Sequence, residues 1–498
     1  MVEFSGTALS RNRGRSPAKL GGKRVMKILL LRAKPDFMDM VIGIPIGLTM
    51  VGAMAERLNH KVEILDLALE KTQDAADRRL QSLLQTKKFD LVGLTAMTVE
   101  YEAAARAARM VKQSDPAVPV VFGGQHATIK VTEVLSQDFC DFVVKGEGES
   151  VFSELVTRLS DGGSLDDVRG LAFKRNGEIV QTSDQELIQD LDGLPYPAYH
   201  LLEVEQYFAA SSARATTKHK RCMQVFTSRG CPWRCTYCHD LFGKSFRGRS
   251  PENVLGELKL LYDRWGIREY MVEDDIFNLD MERAKKIFDL VRENLPGVYF
   301  QFGNGLRLER FDEELVRKMA EGGTHYICIA IESASPRIQK MIKKNLKLDK
   351  SAEALRWMRK HRIRTLGFFM LGFPTETLEE IQQTIEYASQ LDLDEALFSI
   401  ATPYPGTELN KQVMEMSLYD PDLVSRGGEE FQLIKTEQFD YHTLRKLQRK
   451  AYRSFFLSKF RYLRMIPKLV NVNSSMKYLR AIERNFLAYG GAKTSRIN

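Results

Sequence analysis

The alternation of short β-rich segments with helical patterns constrains this chain most, because strands joined through helices must lie parallel and be covered on both faces. A first run begins at Lys27, with β-rich segments at 28–31, 62–65, 91–94, 118–122 and 142–144, and predicts a doubly wound parallel sheet. A second begins at Gln224, with segments at 224–227, 269–273, 299–302, 326–331, 365–371 and 395–400, separated by helical patterns such as 254–265 and 314–321. Six strand-helix units predict a partial (β/α)6 barrel. At 498 residues the chain exceeds the ~250–300 at which one core stops growing, so the two runs are read as separate α/β domains. The expected division is a disordered basic tail over 1–25, a Rossmann-like domain over 26–155 and a connector over 156–215 with a hairpin signal at Arg175-Asn-Gly-Glu178. The barrel follows over 216–430, and a basic helical C-terminal extension over 431–498.

Both architectures bind ligands at the carboxyl ends of their strands. In the first run those ends read Pro45-Ile-Gly47, Thr95-Ala-Met97-Thr98, Gly123-Gly124-Gln125-His126 and Gly146-Glu147-Gly148. None matches Gly-x-Gly-x-x-Gly, so a nicotinamide cofactor is not indicated. In the second run they read Glu273-Asp274-Asp275, Gly303-Asn304-Gly305 with Arg307, Glu332-Ser333 and Met370-Leu371-Gly372-Phe373. Each alone has an ordinary explanation: solvated acids, Arg307 paired with Glu309 or Glu332, and a Leu-Gly-Phe run in the core. At successive strand ends they converge on one mouth.

The six cysteines are too few for a disulfide framework, and with no secretory signal the chain reads as cytoplasmic with reduced thiols. Three of them, Cys231, Cys235 and Cys238, cluster in Ser228-Arg229-Gly230-Cys231-Pro-Trp-Arg-Cys235-Thr-Tyr237-Cys238, directly after the first barrel strand. A structural zinc wants four ligands and no second knuckle exists, although His239 stands beside Cys238. Four thiolates on a cubane would serve electron transfer alone, whereas three leave one iron open to an exogenous ligand. Cys140, Cys222 and Cys328 are isolated and read as buried core thiols.

The net charge of +8 is carried by the ends: residues 1–25 hold six Lys or Arg against Glu3, and 441–498 hold fourteen against Glu483, so the body is acidic. No nucleic-acid partner is expected. The uncharged stretch from Met40 to Ala55 is shorter than the ~20 apolar residues of a spanning helix. From 441 to 480 basic residues interleave with aromatics, and Leu444, Leu447, Ala451 and Phe455 have helical spacing. That helix closes the barrel's open side, docks on acidic lipid headgroups or grips an anionic substrate. Met26 opens a strand directly and offers a later start; an Arg-rich transit peptide is the rival reading of 1–25.

The Cys-x3-Cys-x2-Cys spacing with Tyr237 before the last cysteine resembles the signature of radical S-adenosylmethionine (SAM) enzymes. The resemblance implies a 4Fe-4S cluster on Cys231, Cys235 and Cys238, with SAM on the open iron and cleaved to a 5'-deoxyadenosyl radical. It implies SAM contacts from Tyr237, Glu273, Asp274, Asp275, Asn304, Arg307, Glu332, Ser333, Leu371 and Gly372. The first domain is similar to the cobalamin-binding domain of one large subfamily, which includes anaerobic magnesium-protoporphyrin ester cyclases and class B radical methyltransferases. That likeness implies cobalamin contacts from Pro45, Gly47, Thr95, Met97, Thr98, Gly123, Gly124, Gln125, His126, Gly146, Glu147 and Gly148. No Asp-x-His-x-x-Gly is present, so a lower ligand to cobalt is absent unless His126 or another group substitutes. The implied reaction is cobalamin-dependent methylation of an unactivated carbon in a small molecule: a lipid, a tetrapyrrole or a natural-product intermediate. An external donor such as flavodoxin or ferredoxin would supply electrons. The alternatives are cobalamin-assisted oxidative cyclisation or rearrangement without methyl transfer and, in another class, a non-catalytic cobalamin-binding sensor. A tRNA methylthiotransferase is set aside, since only Cys140 precedes the barrel.

Overall fold

The computed structural model describes residues 19–20, 23–35, 43–211, 216–418, 434–459 and 461. The first sheet contains β1 (Lys27–Arg32), β2 (Lys61–Asp66), β3 (Leu91–Thr95), β4 (Val120–Gly123), β5 (Phe142–Val144), β6 (Leu171–Arg175) and β7 (Glu178–Gln181). Their spatial order is β2-β1-β3-β4-β5-β6-β7, parallel as far as β5. Alternate residues of β1 feed two cores: Leu29 and Leu31 pack on one face, Ile28 and Leu30 on the other. A strand buried on both faces must read as an unbroken apolar run, and β1 does. The order reverses between β1 and β3, which puts the switch point at Arg32 and Thr95.

The last two strands lie in the segment expected to be a connector. Asn176 and Gly177 both take positive φ, 52° and 84°, the two-residue turn that Asn-Gly favours, and β6 and β7 extend the sheet antiparallel. The helix Gly148–Asp161 also runs through the expected boundary at 155. The first sheet therefore draws on residues as far as 181. Within the tail expected to be disordered, Lys19–Leu20 pairs with Lys23–Arg24, and Arg24 forms an ion pair with Asp90. Residues 1–18 lie outside the described residues.

The second sheet contains β8 (Cys222–Val225), β9 (Glu269–Val272), β10 (Tyr299–Leu306), β11 (Thr324–Glu332), β12 (Arg364–Leu371) and β13 (Glu395–Ile400), parallel and in chain order. Four of its helices start on side-chain caps, with Ser250, Asp280, Asp312 and Thr377 each accepting from a backbone N–H of the first turn. Cys140, Cys222 and Cys328 are buried, as expected of core thiols. The helix Tyr441–Leu457 covers β13, the last strand of the sheet: Gln448 Nε2 donates to the Phe398 carbonyl at 2.6 Å and the Phe398 N–H donates to Tyr452 Oη at 3.3 Å. Its Leu444, Ala451 and Phe455 are fully buried. The extension's expected span beyond 461 lies outside the described residues. No helix among the described residues is long and apolar enough to cross a membrane.

Candidate active site

A cavity of about 530 Å³ opens between the carboxyl ends of the two sheets. The first sheet contributes Pro45, Gly47, Thr95, Met97, Gly123, Gly124, Gln125, Gly146, Glu147 and Gly148 to its wall, ten of the twelve residues that the sequence singles out there. Glycine is used for space. A Cβ at Gly47 would project into a void with nothing within 4 Å, and at Gly123 it would meet only the Val144 carbonyl at 4.0 Å. Gly124 is held at φ +88°, where a side chain would also press on Thr95 Oγ1 at 2.7 Å. The result is a bare backbone cradle, suited to a broad ligand.

Two residues expected there do not line the cavity. Thr98 opens a short 3-10 turn, Thr98–Glu100, fixed by the Met97 N–H donating to Glu100 Oε2 at 3.0 Å. His126 follows Gln125 on a helix, so its side chain leaves in another direction. Its ring stacks on Tyr101 at 4.1 Å, neither ring nitrogen makes a hydrogen bond, and burial lowers its pKa. The histidine that was to substitute as a cobalt ligand is thus turned into the first domain's core.

The loop between β8 and the helix Pro251–Trp265 carries the three clustered cysteines, and its base is a two-residue antiparallel pairing, Ser228–Arg229 with Arg247–Gly248. Asp274 accepts from the Thr227 N–H at 2.6 Å and from the Thr227 and Ser228 hydroxyls at 2.5 Å. It is buried, does not line the cavity and anchors the loop. Asp275 lines the cavity and accepts from the Gly230 N–H at 3.0 Å. Burial pushes both carboxyls up. Beyond Gly230, Cys231 and Cys235 are half-buried and Cys238 is exposed. Cys238 donates to Cys235, which draws the Cys235 thiol down, helped by Lys344 and Arg307, and pushes Cys238 up; burial pushes Cys231 up. Among the described residues no three His, Cys, Asp or Glu side chains converge as on a single ion. A cubane spreads its ligands over several irons, and a three-thiol loop beside two cations suits its anionic thiolates.

Glu273 and Asn304 line the cavity as expected. Glu273 accepts from Gln224 at 2.8 Å, and Asn304 donates to the Glu273 carbonyl at 2.8 Å. Glu332 sits at φ +69°, where the register between β11 and β12 shifts. Its Oε1 accepts from Tyr237 at 3.1 Å and from Lys344 at 3.2 Å, and Lys344 also reaches Tyr237 Oη at 3.2 Å. Lys344 is buried beside the cysteines, and because it lies in a loop 107 residues from Tyr237, no local pattern points to it. Arg307 pairs with Glu309 at 2.5 Å, donates to the Lys344 carbonyl at 2.9 Å and stacks 4.2 Å over Trp233, so it braces the cysteine loop from behind. Ser333, Leu371 and Gly372 are turned away from the cavity. Ser333 is fully buried against Thr384, Leu371 is core, and the Gly372 N–H donates to Glu376 at 2.7 Å.

Where the domains meet, Glu147 and Glu149 form ion pairs with Arg229 and Arg247 at 2.5 to 3.1 Å. Their partners lie 80 to 100 residues away in sequence, so no local pattern marks the two arginines.

Residues 41–156 match the B12 binding domain family, and residues 225–388 the radical SAM superfamily. The uncharacterized methyltransferase PH0819 of Pyrococcus horikoshii is 36% identical over 445 residues, 87% of this chain and 93% of that protein. The cytidylyl-2-hydroxyethylphosphonate methyltransferase of Streptomyces wedmorensis is 29% identical, over 80% of this chain and 84% of that one. An anaerobic magnesium-protoporphyrin IX monomethyl ester cyclase of Rubrivivax gelatinosus is 26% identical, over 78% and 69%. In three dimensions the chain is similar to the radical SAM methyltransferase TsrM of Kitasatospora setae with cobalamin and a 4Fe-4S cluster bound. The TM-score is 0.70 at 18% identity, over 86% of this chain and 91% of that one, a likeness of fold.

Proposed function

Because the chain belongs to the radical SAM enzymes that carry a B12-binding domain, we propose that it methylates an unactivated carbon of a small molecule held between its two sheets. The cofactors are a 4Fe-4S cluster, SAM and cobalamin. The cluster supplies the electron that breaks the sulfonium C–S bond, and cobalamin supplies the methyl group.

One observation carries this reading: the bare glycine cradle of the first sheet and the acids Glu273 and Asp275 of the second line the same cavity. Cys231, Cys235 and Cys238 would hold the cluster, and the glycines at 47, 123, 124, 146 and 148 would receive the corrin against backbone. Glu273, Asp275 and Asn304 are the polar groups presented to SAM, while Tyr237, Glu332 and Lys344 form a buried triangle beside the cysteines. Phe226, Leu241 and Phe242 give the cavity an apolar side that keeps water from a reactive carbon. The division of labour follows the two sheets, with residues 26–181 on the cobalamin side and the barrel on the SAM side.

Anaerobic reconstitution followed by iron, sulfide and cobalt analysis and an assay for 5'-deoxyadenosine tests the reading. We expect Cys231→Ala, Cys235→Ala and Cys238→Ala each to abolish 5'-deoxyadenosine. Wild-type protein that holds a cluster yet makes none under strong reductant would sink it. The cyclase relatives favour a second reading, oxidation without methyl transfer, and product mass separates the two: methylation adds a CH2 unit. A cytoplasmic flavodoxin or ferredoxin would serve as donor. Contact of the basic helix Tyr441–Leu457 with acidic lipid is checked by vesicle pelleting, where equal binding to neutral and anionic vesicles excludes it.

A further inference from the structure

Glu147 reaches from the first sheet into the base of the cysteine loop and is shared by both of its strands. Its Oε1 accepts from Arg229 Nη1 at 3.1 Å, and its Oε2 accepts from Arg247 Nη1 at 2.9 Å and from the Ile188 N–H at 2.8 Å. Arg229 and Arg247 are paired across the two strands, so one carboxylate closes over that rung. Glu149 holds Arg229 a second time, Oε1 to Nη2 at 2.5 Å. The grip is dry: side-chain exposure is 0% for Glu147, 3% for Arg247 and 11% for Arg229. From the opposite side the same loop is held by Asp274 at Thr227 and Ser228, and by Asp275 at Gly230. Residues 227–230 are thus clasped between two pairs of carboxylates, one pair from each sheet.

The chain neighbours of Glu147 are Gly146 and Gly148, which line the cavity, and Arg229 stands two residues before Cys231. Glu147 and its ion pairs therefore link the glycine cradle to the base of the cysteine loop. A buried pair of this kind gives little net stability over apolar packing, but it is directional, and losing one partner strands a charge. Its value here is register between the cysteine loop and the first sheet, added to contacts elsewhere such as Tyr207 Oη donating to Asp66 and Ile44 packing in the barrel core.

We propose that Glu147 is a positioning residue that sets the separation and orientation of the cluster loop relative to the glycine cradle, so that the two cofactor sites face each other at one distance. The proposal rests on the functional reading above for what occupies the two sites, and on the geometry alone for the clasp.

The full-length chain, reconstituted anaerobically with iron, sulfide and hydroxocobalamin, offers two readouts. Pulsed EPR measures the dipolar coupling between reduced cluster and cobalt(II), and peptide-level hydrogen exchange reports how firmly residues 228–248 are held. Wild type should give one narrow distance. In Glu147→Gln the distance should spread or shift, and exchange over 228–248 should rise by about a hundredfold while β10 to β12 stay protected. Glu147→Asp keeps the charge but is one methylene shorter, and should restore part of the protection. An unchanged distance with unchanged exchange overturns the proposal, as does a uniform rise in exchange over both sheets, which would make Glu147 a residue of general stability. Should Glu147→Gln fail to fold, Arg247→Lys, which cannot span Glu147 and the Phe242 carbonyl together, is measured the same way. Wild-type protein that takes up neither cluster nor cobalt would refute the functional reading, and exchange would still decide the clasp.

Discussion

Glu376 is a buried carboxyl whose protonation state bears on the stability of the fold. Its Oε2 accepts from the Gly372 and Phe373 N–H groups at 2.7 and 3.0 Å, while its Oε1 is buried without a hydrogen bond. Burial pushes its pKa up, from the usual 4.5 to about 8. The folded chain thus keeps a proton that the unfolded chain releases. The contribution to stability is complete below the ordinary carboxylate pKa and is lost as pH rises from there through about 8. Glu376→Gln mimics the protonated form, and we expect it to flatten that decline in urea titrations across the window; an unaltered slope would contradict the assignment. At this scale the sequence was legible wherever the partners were close along the chain. Cys231, Cys235 and Cys238 share a loop, so their spacing alone announces them. Lys344 meets Tyr237 from 107 residues away and Arg247 meets Glu147 from 100, and no local pattern reports such pairings.

Element boundaries were readable where the backbone ladder alone decides them. The strands at 142–144 and 395–400 fall where the β-rich runs place them, each paired in register with a neighbouring strand. β8 does not: the run at 224–227 predicted a later strand, but the Thr227 N–H is taken by Asp274, which ends the ladder at Val225 and starts the cysteine loop two residues early. The Asn176-Gly177 turn was legible as a hairpin; that it belongs to the first sheet was not, since which edge a hairpin joins is a tertiary choice. Gly230 is the point at which the loop leaves its base, at φ +80°, and a Cβ there would run into the Ser245 carbonyl. Gly230→Ala should therefore distort the loop and leave both sheets intact. We expect lowered iron and sulfide incorporation with far-UV circular dichroism unchanged; full incorporation would show that the loop has more freedom than this packing implies.

At the level of the molecule, the alternation of strands and helices sufficed for two parallel sheets, because topology restricts how such units can join. It could not supply how the sheets face each other, because the contacts between them, such as Glu147 with Arg247 and Tyr207 with Asp66, join residues far apart along the chain. The last described helix was legible as amphipathic, and its apolar stripe is spent on β13. Through Gln448 and Tyr452 it also satisfies the Phe398 carbonyl and N–H, groups that an uncovered strand would offer to any passing chain. A chain ended after residue 440 should therefore shift to larger, concentration-dependent species in light scattering, and one that behaves as the full chain does would show that β13 needs no cover. The helix lies C-terminal to every strand it protects. Synthesis runs from the N-terminus, and domains fold as they emerge, so the second sheet is assembled on the ribosome with its last edge still open. Until residues 441–457 emerge, the nascent barrel keeps that edge open to pairing with other chains.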